Sequence, residues 1–119
     1  MGTASTMACL LAALGMMPLK GATPAAVSAA RLRVAEETGA RAVALATEQL
    51  RPQEILSLDS FVNAIVVLQA IGGSTNAVVH LMAIANRHPD IAGSVTPQMV
   101  DDVGRRVPLL VDLKPSGDG

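Results

Sequence analysis

Gly72-Gly73-Ser74-Thr75-Asn76 places two glycines ahead of three adjacent small polar side chains, between two stretches that are almost wholly apolar. The glycines allow the backbone to turn sharply or to approach another group closely. Ser74 is a good N-cap for a following helix, and the next N–H groups can hold an anion or an oxygen-rich ligand. The motif alone admits two readings, a helix-to-helix turn whose serine only caps, or a loop whose side chains line a site. His80 follows Asn76 by four residues on the same helix face, so both could point into such a site. Its apolar neighbours Val78, Val79, Leu81 and Met82 favour instead a hydrogen-bonded core histidine. Cys9 has no second Cys or nearby His in sequence and reads as a small buried hydrophobe. Asp101 and Asp102 are adjacent and face different ways on a helix, a poor arrangement for a metal site. Neither glycine-rich nucleotide pattern occurs, so no self-sufficient catalytic constellation is visible.

The elements that would position the loop follow from periodicity. From Phe61 to Ile71 only Asn63 and Gln69 are polar, and from Ala77 to Ala85 only His80 is. Both segments predict helices apolar nearly all round and buried on all sides, with the loop buried between them. Thr3, Ser5 and Thr6 precede Met7 to Leu14, the pattern of a capped short helix closed by Gly15. Thr23-Pro24 predicts the start of a long helical region towards Leu50, with a break at Gly39. Arg33, Glu37 and Arg41 at four-residue intervals describe a solvated face with weak ion pairs. Pro52 starts a short turn through Leu56, and Ser57 or Asp59 caps the helix containing Phe61, Ile65 and Leu68. Thr96-Pro97 opens a short helix with Met99, Val100 and Val103 that stops at Gly104, and Val107 to Leu113 reads as a short buried strand. The fold class is therefore mainly α with one short late β-strand, as a fragment of a larger α/β domain.

Composition points the same way. The 119 residues suffice for one domain; half are hydrophobic, yet Phe61 is the sole aromatic. Two helices needing cover on every face would exhaust so short a chain, which implies a piece of a larger protein. A net charge of −1 with scattered Lys and Arg excludes an electrostatic footprint for nucleic acid or an anionic membrane. Met7 to Leu19 lacks the basic flank of a signal peptide and is broken by Gly15 and Pro18, and no apolar run is long enough to span a membrane. A single Cys excludes an internal disulfide and fits a reducing, cytoplasmic compartment.

Four blocks together carry a family resemblance: Met1 to Met16, Phe61 to Ile65, Gly72 to Leu81, and Arg106 to Gly117. In order and spacing they resemble the dihydroxy-acid and sugar-acid dehydratases, over essentially the whole of residues 1–119. The resemblance implies an internal segment of the N-terminal, cluster-binding domain of a larger, homo-oligomeric lyase of branched-chain amino acid or sugar acid metabolism. Such enzymes convert small 2,3-dihydroxy acids to 2-keto acids with an iron–sulfur cluster and Mg²⁺. The cluster would draw off the C3 hydroxyl, the metal ion would hold the carboxylate and C2 oxygen, and a deprotonated serine would take the C2 proton. The nearest cluster cysteine of the family falls three positions before Met1, Cys9 does not match it, and the catalytic serine belongs to the C-terminal domain. No catalytic, cofactor-binding or metal-binding residue is therefore expected in this segment, which alone would bind neither cofactor and be inactive. What transfers is proximity, with Thr3, Ser5, Ser74, Thr75 and Asn76 lining the substrate cavity. The alternatives are a small helical protein-interaction module or a helical anion-binding domain.

Overall fold

A computed structural model describes residues 2–111. Six α-helices follow in order: α1 Gly2–Ala13, α2 Ala29–Glu48, α3 Pro52–Ile55, α4 Leu58–Ala70, α5 Asn76–Ala85 and α6 Pro97–Gly104, with a 3₁₀ turn at Leu19–Gly21. Together they form a slab of 41 × 38 × 19 Å, about two helix diameters thick.

The core lies on α4. Phe61, Ala64 and Ile65 are fully buried and Leu68 nearly so, at the i, i+3, i+4, i+7 spacing of one apolar stripe. Leu10 and Leu14 meet them from the α1 side, Ala77, Leu81 and Ala85 from α5, and Val100 and Val103 from α6. Small residues at 64, 77 and 85 let the helices approach closely. Burial stops at that stripe. Val66 is 38% exposed and Val79 is 66% exposed, so α4 and α5 are not covered on all sides as their composition predicts. Too few elements surround them among the described residues.

Local chemistry sets the helix ends. Ser57 Oγ accepts the Ser60 N–H and Thr96 Oγ1 the Met99 N–H, so α4 and α6 start at the predicted caps, with Ser57 rather than Asp59 serving α4. Gly15 adopts the left-handed conformation expected after a helix, at φ +82°. At the N-terminus, however, α1 already begins at Gly2, so Thr3, Ser5 and Thr6 lie within the helix instead of capping it. The long helix also starts later than Thr23-Pro24 suggests. Ser28 caps it through the Arg31 N–H, and Arg31 donates to the carbonyls of Gly21 (2.7 Å) and Pro24 (2.8 Å). Those bonds hold the preceding residues in a folded turn, so helix cannot extend back through them.

α2 then runs 20 residues without a break at Gly39 and buries only Val34. On its solvated face Glu37 pairs with Lys20 and Arg41 with Glu48, not with each other. The Glu48 hydrogen bond and charge push the Arg41 guanidinium further above its already high range, so it stays charged. Both pairs are exposed and stabilise the helix little. A Cβ added at Gly39 would meet nothing within 4 Å. Gly39→Ala should therefore raise stability by about 0.5–1 kcal/mol, measured by denaturant unfolding, through helix propensity alone. A loss would mean that the glycine serves a contact.

The predicted strand at Val107 to Leu113 is not formed over the part that is described. Residues 107–111 are irregular, and Leu110 and Val111 both donate their N–H to the Ala70 carbonyl at the end of α4 (2.7 and 3.0 Å). A strand needs a partner ladder, and among the described residues there is none. Residues 112 and 113 lie outside the described range. No described helix is long and apolar enough to cross a membrane.

Candidate functional site

The starts of α1 and α5 meet. Their helix axes are remote in sequence, but α1 packs on α4, and the loop at 71–75 returns the chain from the end of α4 to the α1 surface. Two features of the glycine pair make the return possible. Gly72 takes φ +58°, which L side chains rarely adopt. A Cβ on Gly73 would stand 2.7 Å from Thr6 Cγ2 and 2.8 Å from Leu68 Cδ1, so a side chain there would collide with both helices.

This close approach assembles a polar cluster. Thr3 Oγ1 and Ser74 Oγ are 2.8 Å apart across 71 residues of chain. Asn76 Nδ2 donates to Thr3 Oγ1 (3.3 Å), and the Asn76 N–H donates to Ser74 Oγ (3.3 Å). The cap position of α5 itself is Thr75, whose side chain makes no cap bond. Ser74, one residue earlier, takes the first N–H of the helix and also joins α5 to α1. The Thr3 and Ser74 hydroxyls carry two protons between them. One is used in their mutual bond, whichever group donates. The other proton and the Asn76 carbonyl oxygen make no hydrogen bond among the described residues and are free for a ligand. The cluster has no formal charge of its own, and the first turn of α5 adds partial positive charge beside it.

Three of the five expected residues are therefore in direct contact: Thr3, Ser74 and Asn76. Thr75 is exposed in the loop next to them, and Ser5, two residues after Thr3 on α1, is exposed on a different face of the helix; neither side chain makes a hydrogen bond among the described residues. The loop itself is half-buried to exposed rather than buried, because it sits at the edge of the stripe shared by α4 and α5. Nor is His80 a core histidine; it is exposed, as α5 turns its apolar stripe through Ala77, Leu81 and Ala85. The buried histidine is His88. Its Nδ1 accepts the Asp90 N–H (3.1 Å), so its proton is on Nε2, which donates to the Gln53 carbonyl (2.9 Å) and ties the segment after α5 to α3. Sequence reasoning also passed over Thr6, which is fully buried. No local signal marks it, because one of its two bonds reaches Ser74, 68 residues away.

Cys9 is half-buried on α1 rather than fully buried, and no three His, Cys, Asp or Glu side chains come together among the described residues. That donor set does not fit an iron–sulfur cluster or Mg²⁺. A groove of about 550 Å³ runs between Met16, Met17 and Pro18 and the α2 residues Arg41, Ala42 and Leu45. It is the poorer candidate, being mostly aliphatic and thioether-lined, with its one cation already paired to Glu48.

Hydroxyl and amide groups from α1 and α5 thus gather at one point of a helical scaffold. The chain belongs to the dihydroxy-acid/6-phosphogluconate dehydratase family, whose N-terminal pattern matches residues 1–119. It is 46% identical to a dihydroxy-acid dehydratase of Endomicrobium trichonymphae over 119 residues, 99% of this chain and 21% of the relative. The dihydroxy-acid dehydratase of Thermodesulfovibrio yellowstonii is 46% identical over 120 residues, 99% of this chain and 21% of that protein. That of Aeropyrum pernix is 45% identical over 115 residues, 97% and 20% respectively. The chain thus spans about a fifth of the length of these relatives.

Proposed function

We propose that this chain is part of the N-terminal, cluster-binding domain of a hydro-lyase that dehydrates a 2,3-dihydroxy acid or sugar acid to a 2-keto acid. Thr3, Ser5, Ser74, Thr75 and Asn76 line its substrate cavity. The observation that supports this reading is the contact of Thr3, Ser74 and Asn76 at the junction of α1 and α5, in a chain of the dehydratase family. An acid bearing two hydroxyls offers adjacent oxygens, each able to donate and accept, and the cluster offers a hydroxyl proton and an amide oxygen to meet them.

In the complete enzyme an iron–sulfur cluster and Mg²⁺ supply the Lewis acidity, held by residues outside this chain. The part played by this segment is to bind and orient. The Thr3–Ser74 pair holds a substrate oxygen, Asn76 sets its direction, and the glycine loop keeps the two helix starts in register. The segment alone is inactive. A single Cys fits the reducing cytoplasm, where the proposal puts the enzyme.

The test uses the complete protein that contains this chain, loaded with iron, sulfide and Mg²⁺ without oxygen. Keto acid should be released from a short 2,3-dihydroxy acid or from 6-phosphogluconate, and from neither by residues 1–119 alone. No keto acid from either substrate with the loaded protein would overturn the reading.

A further inference from the structure

The structure assigns to Thr6 the part of a positioning residue, one that locks the glycine loop so that Thr3, Ser74 and Asn76 face the substrate in a single arrangement. This inference rests on the dehydratase reading above. Thr6 is fully buried, so it cannot touch substrate and can act only through its neighbours. Its hydroxyl is used in both directions: it donates to the Gly2 carbonyl (2.7 Å) and accepts the Ser74 N–H (3.1 Å). One oxygen thereby ties the first turn of α1 to the loop, beside the two residues that carry the outward-facing polar groups.

The methyl of Thr6 packs against the same loop. Cγ2 occupies the space against Gly73, where any Cβ would be 2.7 Å away. The loop is held on its other side by the Gly73 N–H bond to the Leu68 carbonyl (3.0 Å). Gly73 lies between these two bonds and Gly72 directly before them, the two most permissive backbone positions in the segment. Without the Thr6 hydroxyl the Ser74 N–H loses its partner, and the glycine pair becomes a hinge. Ser74 Oγ would then move relative to Thr3, which is anchored on α1, and the distances that define the cluster would spread. Serine at position 6 keeps the hydroxyl, whereas valine keeps the shape and loses it, so the two substitutions separate anchoring from packing.

The experiment compares Thr6→Val, Thr6→Ser and Asn76→Ala in the complete, cofactor-loaded protein. Amide hydrogen exchange at Ser74 should accelerate about tenfold in Thr6→Val, the scale of one lost hydrogen bond. In the same variant kcat/KM on the dihydroxy acid should fall by about three- to tenfold, with cluster content unchanged. Thr6→Ser should restore both. Unchanged Ser74 exchange in Thr6→Val overturns the inference, as does wild-type kcat/KM in Thr6→Val alongside an impaired Asn76→Ala. Wild-type kinetics in Asn76→Ala would instead remove the cavity reading and the inference with it. If Thr6→Val does not fold, Gly73→Ala strains the same contact from the other side. Thr6→Ser, which removes the opposing methyl, should then recover at least part of the Ser74 protection and kcat/KM lost in Gly73→Ala. A double variant no better than Gly73→Ala overturns the inference.

Discussion

Asn76→Ala in the complete enzyme should lower kcat/KM by about tenfold or more while leaving the melting temperature and cluster content nearly unchanged. Asn76 is exposed, and its backbone N–H, not its side chain, makes the bond to Ser74 Oγ, so truncation leaves the cap intact. What is lost is the amide: its donor to Thr3 Oγ1 (3.3 Å) and its uncommitted carbonyl oxygen. An exposed polar side chain with no core contact costs less than about 0.5 kcal/mol of stability when removed. A positioned contact to a reacting molecule costs rate instead. Steady-state kinetics with a parallel thermal scan separate the two. Wild-type kinetics in a stable, loaded variant would reduce the loop to a helix junction that Ser74 caps.

Phe61→Ala should cost about 3–5 kcal/mol of unfolding free energy. The ring is fully buried on the inner stripe of α4, in a core otherwise made of Leu, Ile, Val and Ala. There is no second aromatic to fill the gap. Small neighbours such as Ala64 cannot swing into the cavity, so little of it closes. Against a typical stability of about 5–15 kcal/mol the loss would leave the fold marginal. Urea unfolding measures it, and a cost below about 1 kcal/mol would show that the core is not centred on this ring.

Much of the scaffold was legible because its signals are local. Ser57 and Thr96 cap helices through bonds spanning three residues, and Gly15 closes α1 by its own backbone conformation. These depend on nothing distant. The start of α2 differs from that reading because Thr23-Pro24 has the right local chemistry, while the deciding contacts come from Arg31, seven residues beyond Pro24 and ten beyond Gly21. The missing strand, the exposed faces of α4 and α5, and exposed His80 share one cause. Apolar composition states that a surface must be covered, but not by what, and the cover among the described residues extends only to one stripe. At the candidate site the residue types and the pairing of the two polar segments could be anticipated. Thr6 could not be singled out, because its importance lies in two bonds, one of which crosses 68 residues.

The paired hydroxyls of Thr3 and Ser74 have a property that a charged or single-hydroxyl site lacks. Because either oxygen can be the donor, rotating two O–H bonds reverses the polarity of the pair without moving a heavy atom. In the proposed reaction an alcohol, which donates and accepts, becomes a ketone, which only accepts. A site that could only accept would match the alcohol and oppose the ketone. On the proposed reading the pair follows this change by side-chain rotation alone, without a rearrangement of the backbone.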